Sequence, residues 1–323
     1  MPVGWVAVQG PGMDDLAALA STTKDVFTTA AARQMGHDER SLHRLVARGE
    51  IEHLARGLYA RPAPDLTPGE AHLRLARGGL LLYPDASLSH VSAVLAHGLP
   101  VFGAPLGRAT LVRPVEKEVL TQAFVIRPDG QATCDTEAGP AVVPATALVQ
   151  LTLDSGVLSG VVAADNALHS GLLQPEDLAQ AAARVVGWPR SGRVRSLLTL
   201  VDARSESVGE SRLRVHLAAL GIPVIPQVVI RDRSGDFVAR VDLWVEGTGV
   251  VVEFDGRVKY TDGGPEALFA EKRREDRLRR LGYVVVRVTW SDLGRPDRVI
   301  AWIRQARLAA PEAPALNPRR FVG

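Results

Sequence analysis

Apolar and polar positions form their clearest pattern between Arg240 and Gly256, read as RVDLWVEGTGVVVEFDG. Two runs rich in Val and aromatic residues flank a Gly-bounded turn, which predicts two β-strands folded into a hairpin. With a two-residue loop at Gly247-Thr248, or a four-residue loop on the same centre, opposed positions sum to 495 and Asp242 faces Glu253. Opposed residues of an antiparallel pair project to one face with Cβ atoms roughly 4.5–5.5 Å apart. Asp255 lies two residues beyond Glu253 and shares that face. Three acids on one face of an apolar hairpin can form an oxygen-ligand site for a hard cation such as Mg²⁺ or Mn²⁺. The plainer alternative is solvated charge on an amphipathic hairpin, and a one-residue register slip would break the pairing.

The pattern around the hairpin predicts helix, three strands, helix, strand. A helix over 210–220 carries Leu213, Leu217 and Leu220 at core spacing and stops at Gly221. Strands are expected at 224–231, 237–246 and 249–255, then a loop, a helix over 266–281 and a nearly all-apolar strand over 283–288. Such a run suits a strand covered on both faces.

At the other end, Thr28 and Asp38 stand as N-caps and Gly36 and Gly49 as stops of two short helices. The second, over 39–48, has an apolar stripe of Leu42, Leu45 and Val46 and turns Arg40, Ser41, Arg44 and Arg48 outward. A hairpin over 51–60 with Arg56 at its tip completes a winged helix-turn-helix, the second helix entering the major groove while Arg56 and Arg61 meet phosphates. Between these ends, 68–83, 87–98, 145–153, 161–170 and 175–186 read as helices, with short strands between 109 and 143. His90, His97 and His169 occur singly there, and lone histidines are more often packed or exposed than ligands. The expected organisation is an α+β multidomain chain: a winged helix over 1–65, a mostly helical middle region with some strand over 66–203, and an α/β domain over 204–323. The best linker is Trp188 to Gly192.

Composition changes this picture in three places. A single cysteine, Cys134, excludes an internal disulfide and fits a reducing cytosol. No run approaches the ~20 apolar residues that span a bilayer, so a cytoplasmic protein without a membrane partner is expected. The total charge of +2 conceals an imbalance, since residues 204–323 hold 21 Lys+Arg against 16 Asp+Glu. A cationic domain with an acid cluster suits a polyanion held over a metal, although solvated arginine helices would look the same. Only four of 38 basic residues are lysine, and Lys259 and Lys272 flank the acid cluster.

Two resemblances follow from these residues. Arg33-Gln34-Met35-Gly36, Leu42 to Ile51 and Arg56-Gly57-Leu58-Tyr59-Ala60 resemble the N-terminal winged helix of AbiEi-type antitoxins over residues 14–62. That resemblance implies binding to double-stranded DNA, at a promoter, and a protein partner in a toxin–antitoxin or defence system. Glu210 to Arg214, Val241-Asp242-Leu243, Val252 to Gly256 and Tyr283 to Arg287 resemble a PD-(D/E)xK nuclease core of the Vsr-like endonuclease branch, over 207–290. This second resemblance implies Mg²⁺-dependent hydrolysis of a DNA phosphodiester in repair or phage defence. Asp242 and Glu253 would be metal ligands, Asp255 a third, and Glu210 a supporting acid. Asp255 stands where the general motif has Lys, which leaves Lys259 or Lys272 to supply positive charge at the phosphate, with Arg273, Arg274 and Arg277 as phosphate contacts or plain surface. No histidine follows His216, which argues against imidazole-based nuclease chemistry. The rival expectation is a non-catalytic DNA-binding regulator or antitoxin with a decayed nuclease fold.

Overall fold

The computed structural model describes residues 16, 24–128, 130–256, 264–310 and 312. The chain divides into two compact units, one of residues 1–159 with 175–194, the other of 160–174 with 195–323.

The first unit begins with β1 (Val26–Thr28), α1 (Thr29–Gln34), α2 (Glu39–Ala47), β2 (Glu52–Ala55) and β3 (Leu58–Ala60), whose strands pair antiparallel in the order β1-β3-β2. Thr28 caps α1 by accepting the Ala31 N–H, and Asp38 caps α2 by accepting the Ser41 N–H at 2.7 Å. Gly57 sits at φ 79° in the β2–β3 turn, a left-handed conformation that other residues adopt only with strain. These are the parts of a winged helix, and its small core gathers Phe27, Ala32, Leu42, Ile51 and Tyr59.

The rest of this unit is not a separate layer. Helix α3 (Pro68–Leu82) opens with a capping box of Thr67 and Glu70. It lies against both β1 and β5 (Ala109–Arg113). Two adjacent glycines allow the approach: a Cβ on Gly78 would stand 2.2 Å from Leu58 of the wing, and one on Gly79 2.9 Å from Phe124. Arg74 of α3 is buried and donates to Glu52 of β2 at 2.7 Å. Residues on both sides of position 65 therefore lie in one compact unit.

A six-stranded sheet organises the expected middle region. With β4 (Ser87–Leu88), β6 (Val119–Leu120), β7 (Phe124–Pro128), β8 (Thr133–Thr136) and β9 (Gly139–Val142), its order is β6-β7-β5-β4-β9-β8. Helices α4 (His90–Ala96), α5 (Pro144–Ser155), α6 (Val157–His169), α7 (Pro175–Ala183) and α8 (Ser191–Leu200) supply the remaining elements. The division between the two compact units runs through α6 and α8.

In the second unit, α9 (Val208–Ala219) precedes β10 (Val224–Arg231), β11 (Phe237–Val245) and β12 (Val250–Asp255). Helix α10 (Gly264–Arg280), β13 (Val284–Thr289) and α11 (Pro296–Ala309) follow. The strands run in the order β10-β11-β12-β13, antiparallel except for the parallel pair β12–β13. One face packs Leu243, Val252, Phe254 and Val288 against Leu213 and Leu217 of α9 and Ile303 of α11. The other packs Val241, Trp244 and Val251 against Leu278 of α10. Both faces of the sheet are covered, which accounts for the apolar run of β13. A buried ion pair links α9 to α6: Arg214 donates to Asp165 at 2.6 Å, and Asp165 also accepts the Asp202 N–H at 2.8 Å. Among the described residues, no helix is long and apolar enough to cross a membrane.

Candidate functional sites

Helix α2 presents two unlike sides. Leu42 is buried with Leu45 and Val46 half-buried, while Arg40, His43, Arg44 and Arg48 are exposed on the other side. Arg56 at the wing tip and Arg61 are also exposed. Among the described residues Arg40, Arg44 and Arg56 form no ion pair, and Arg48 and Arg61 make only loose ones, to Glu50 at 3.7 Å and Asp25 at 3.5 Å. Ser41 departs from the expected free outward position. It is half-buried, its N–H is held by Asp38, and its hydroxyl meets Nδ1 of the buried His37 at 2.9 Å. That serine positions the helix start. Residues 14–62 hold seven basic and seven acidic residues, so cationic character here comes from orientation and not from excess.

The register of the β11–β12 hairpin pairs Leu243 with Val252 and Trp244 with Val251, both summing to 495. Asp242 and Glu253 are the next residues along the two strands, beyond the last regular pair. Asp242 is half-buried and its carboxylate accepts the Phe254 N–H at 2.8 Å, bridging the strands where the ladder ends. Glu210, in the first turn of α9, is buried and accepts from the Ser207 hydroxyl at 2.8 Å, Gln227 Nε2 at 2.9 Å and the Glu206 N–H at 3.1 Å. Gln227 reaches it from a left-handed backbone at φ 54°. Burial pushes the Glu210 carboxyl above its ordinary range despite these bonds, and the charge of Asp242 adds to the rise. Burial likewise raises Glu253; Arg274 pulls it back, and Asp242 pushes it further up. Asp242 therefore acts on both Glu210 and Glu253 across the strand ends.

Arginine already occupies this cluster. Arg274 of α10 forks onto Glu253, with Nη2 to Oε1 at 2.5 Å and Nη1 to Oε2 at 3.3 Å, and its Nη2 also donates to the Arg240 carbonyl at 2.8 Å. Arg287 of β13, level with Glu253 in the parallel register, reaches Asp255 at 3.3 Å, Glu271 at 2.7 Å and Glu275 at 3.0 Å. Burial alone would lower the Arg287 guanidinium; its hydrogen bonds to Glu271 and Glu275 and the charge of Asp255 outweigh it and raise it. Asp242 is bonded to backbone, Glu253 to Arg274 and Asp255 to Arg287. Among the described residues no group of three or more His, Cys, Asp or Glu is placed to hold a metal ion. As arranged, the donors form an arginine–carboxylate network in which Arg274 occupies Glu253 and Arg287 occupies Asp255, and they do not fit a Mg²⁺ cage.

The remaining expected positions scatter. Lys259 lies outside the described residues. Lys272 and Arg273 are exposed on α10, and exposed Arg277 donates to the Phe237 carbonyl at 3.1 Å. Arg274 and Arg287 are the residues that sequence reasoning missed at this cluster. The one signal for Arg287 was an arginine inside an otherwise apolar strand, since a charge buried between two covered faces needs a partner.

Comparison with known proteins bears on the first unit. Residues 14–62 match a family model described as "Transcriptional regulator, AbiEi antitoxin". Over 283 residues, 86% of this chain and 97% of the relative, the sequence is 24% identical to uncharacterized protein MT2308 of Mycobacterium tuberculosis (strain CDC 1551 / Oshkosh). Uncharacterized protein Rv2248 of Mycobacterium tuberculosis (strain ATCC 25618 / H37Rv) matches to the same identity and coverage. The N-terminal segment thus matches an antitoxin-type regulator domain, within a chain of mixed α/β units.

Proposed function

We propose that the protein is a DNA-binding transcriptional regulator of the antitoxin type, its winged helix reading duplex DNA through α2 and gripping phosphates through the wing. The observation that carries this reading is the exposed side of α2, where Arg40 and Arg44 have no ion-pair partner among the described residues. Charges left open on a helix of major-groove proportions suit a polyanion, and the match at 14–62 adds the regulator class. With charge balanced over this segment, non-specific affinity is modest and the direct protein–DNA bonds themselves must supply recognition. The family description also makes a toxin protein a candidate partner. Gel-shift titration of the full chain against the DNA upstream of its own gene tests the reading. A retarded complex that weakens in Arg44→Ala and Arg48→Ala is expected, and equal affinity for every duplex would remove the regulatory role.

A second reading, a Mg²⁺- or Mn²⁺-dependent endonuclease, is favoured by one observation: Asp242 lies within electrostatic reach of both Glu253 and Glu210. In that reading these acids, with Asp255, would be the metal-binding and catalytic groups, and Lys259 or Lys272 the positive charge. The pairing of Glu253 with Arg274 stands against it, because the fork uses both carboxylate oxygens. Incubating supercoiled plasmid with the protein, with Mg²⁺ or Mn²⁺ and with EDTA, distinguishes the two. Metal-dependent nicking abolished by Asp242→Asn would move the conclusion to the nuclease.

A further inference from the structure

The six-stranded sheet, α4 and α5 enclose an open cavity of about 520 Å³, within the usual range for a small-molecule site. Val91, Pro105, Val125 and Leu151 give it apolar walls, and its polar groups gather at one side. There His90, Arg127 and Asp154 converge from α4, β7 and α5. Arg127 is fixed by Glu118 at 2.8 Å and Asp154 at 3.0 Å, and its Nη1 meets His90 Nε2. A guanidinium can only donate, so His90 Nε2 accepts, and the ring proton sits on Nδ1 and points to the Ser89 hydroxyl at 3.1 Å. Burial holds the His90 imidazole well below its ordinary pKa, and the Arg127 charge adds to this. The histidine is neutral at physiological pH.

His90 also has a left-handed backbone, φ 50°, with its N–H held by Gln150 Oε1 at 3.0 Å. For a non-glycine residue that conformation is strained and persists only where surroundings over-determine it. Such strain beside a cavity, with the half-buried Arg127 next to it, marks a built site more than passive packing. The lining charges are Arg108 and Arg127 against Asp154, so two cations meet one anion. Asp154 is already matched by Arg127. Arg108 at the rim is exposed, uses only Nε in a 3.4 Å bond to the Gln122 carbonyl, and pairs with no acid among the described residues.

We propose that this cavity binds a small organic anion, a carboxylate or phosphate monoester on a compact apolar body, with Arg108 taking the anionic group and the Val91–Val125–Leu151 wall the apolar part. His90 and Asp154 are positioning residues that hold Arg127 and the wall in place. The binding step does not depend on the winged helix reading DNA, so it can fail or succeed independently of that function.

Isothermal titration of the full chain with benzoate, phenyl phosphate and benzylamine tests the proposal. Saturable 1:1 binding of benzoate or phenyl phosphate, without binding of benzylamine, is expected, and whichever anion binds more tightly identifies the headgroup. Arg108→Ala should weaken that binding about tenfold or more, the effect of losing one charge-assisted hydrogen bond. Gly107→Leu keeps every charge but fills the space; a Cβ there meets nothing within 4 Å, so the fold should melt unchanged while binding is lost. Absence of saturable binding by both anions at millimolar concentration would overturn the proposal. So would benzylamine binding as tightly as benzoate, or full affinity in Arg108→Ala.

Discussion

Arginine does opposite jobs in the two regions that carry the most chemistry. On α2 the guanidinium groups face solvent and are mostly unpaired; at the β11–β12 strand ends they are drawn in and each meets carboxylates. Arg44 and Arg274 are the same side chain on two helices, separated by what lies opposite. Beneath Arg44 is an apolar stripe, so its charge stays in water. Beneath Arg274 is Glu253, 8% exposed at its side chain, a charge that could not be buried alone. Open arginines are available to a partner; closed ones hold a sheet and a helix together.

Deleting one arginine from each region is the strongest way to break this contrast. Arg274→Ala leaves Glu253 buried with only the distant Arg287 at 4.0 Å as counter-charge and should cost about 3 kcal/mol of stability, measured by denaturant unfolding, because stranding one member of a buried pair is expensive. The double change Arg274→Met with Glu253→Leu should recover most of that loss. Stability equal to wild type in the single variant would mean that the network is not closed.

The same operation on α2 should leave unfolding within about 0.5 kcal/mol of wild type, as for exposed positions elsewhere. Its effect belongs to DNA. Arg44→Ala with Arg48→Ala should lower the slope of log affinity against log salt by about 0.9 for each phosphate that is no longer neutralised. An unchanged slope would place the DNA-reading surface elsewhere.

A smaller effect comes from protons and belongs to the first unit. Burial lowers the pKa of His72 and, further, of His90, so below the ordinary histidine value the unfolded chain binds protons that the folded unit refuses. Stability is then present above about pH 6.5 and declines as pH falls from there through the depressed folded values, by up to about 1.4 kcal/mol per group per pH unit. Amide protection factors in α3 and α4, taken relative to intrinsic exchange at each pH, should fall as pH drops from about 7 to 5.5, the range in which an unperturbed histidine takes up its proton, and unchanged protection would refute it. The smallest expected effect is Lys272→Ala, an exposed residue without an ion pair among the described residues, whose unfolding should not move. In the endonuclease reading the same change removes about 10²–10³ in nicking rate.

Much of the local structure was legible because its causes are local. Thr28 and Asp38 announce helix starts since short oxygen side chains satisfy the first N–H groups, and both do so here. The sum of 495 was readable because Gly247 fixes the turn, and alternation fixes the faces. What escaped depends on long-range partners. Nothing near Glu253 announces Arg274, 21 residues away on a helix, which at sequence level was surface or a phosphate contact. His90 read as one of three solitary histidines, because Arg127 is 37 residues off. The six-stranded sheet was seen only as loose strand candidates, since β4 and β6 are two residues each and carry no period.

The Asp165–Arg214 pair has a consequence for how this chain can be cut or shuffled. Asp165 is fully buried and belongs to the second unit, although its segment, 160–174, is separated from the rest by 175–194. A fragment beginning at the tidy boundary of 204 would carry Arg214 into the interior without Asp165, and without the Leu200 carbonyl that the same guanidinium uses. The second unit is therefore not a cassette. Recombination that moves it to another protein must bring a discontinuous piece of sequence along, and a library of C-terminal fragments should yield soluble members only when they begin before residue 160.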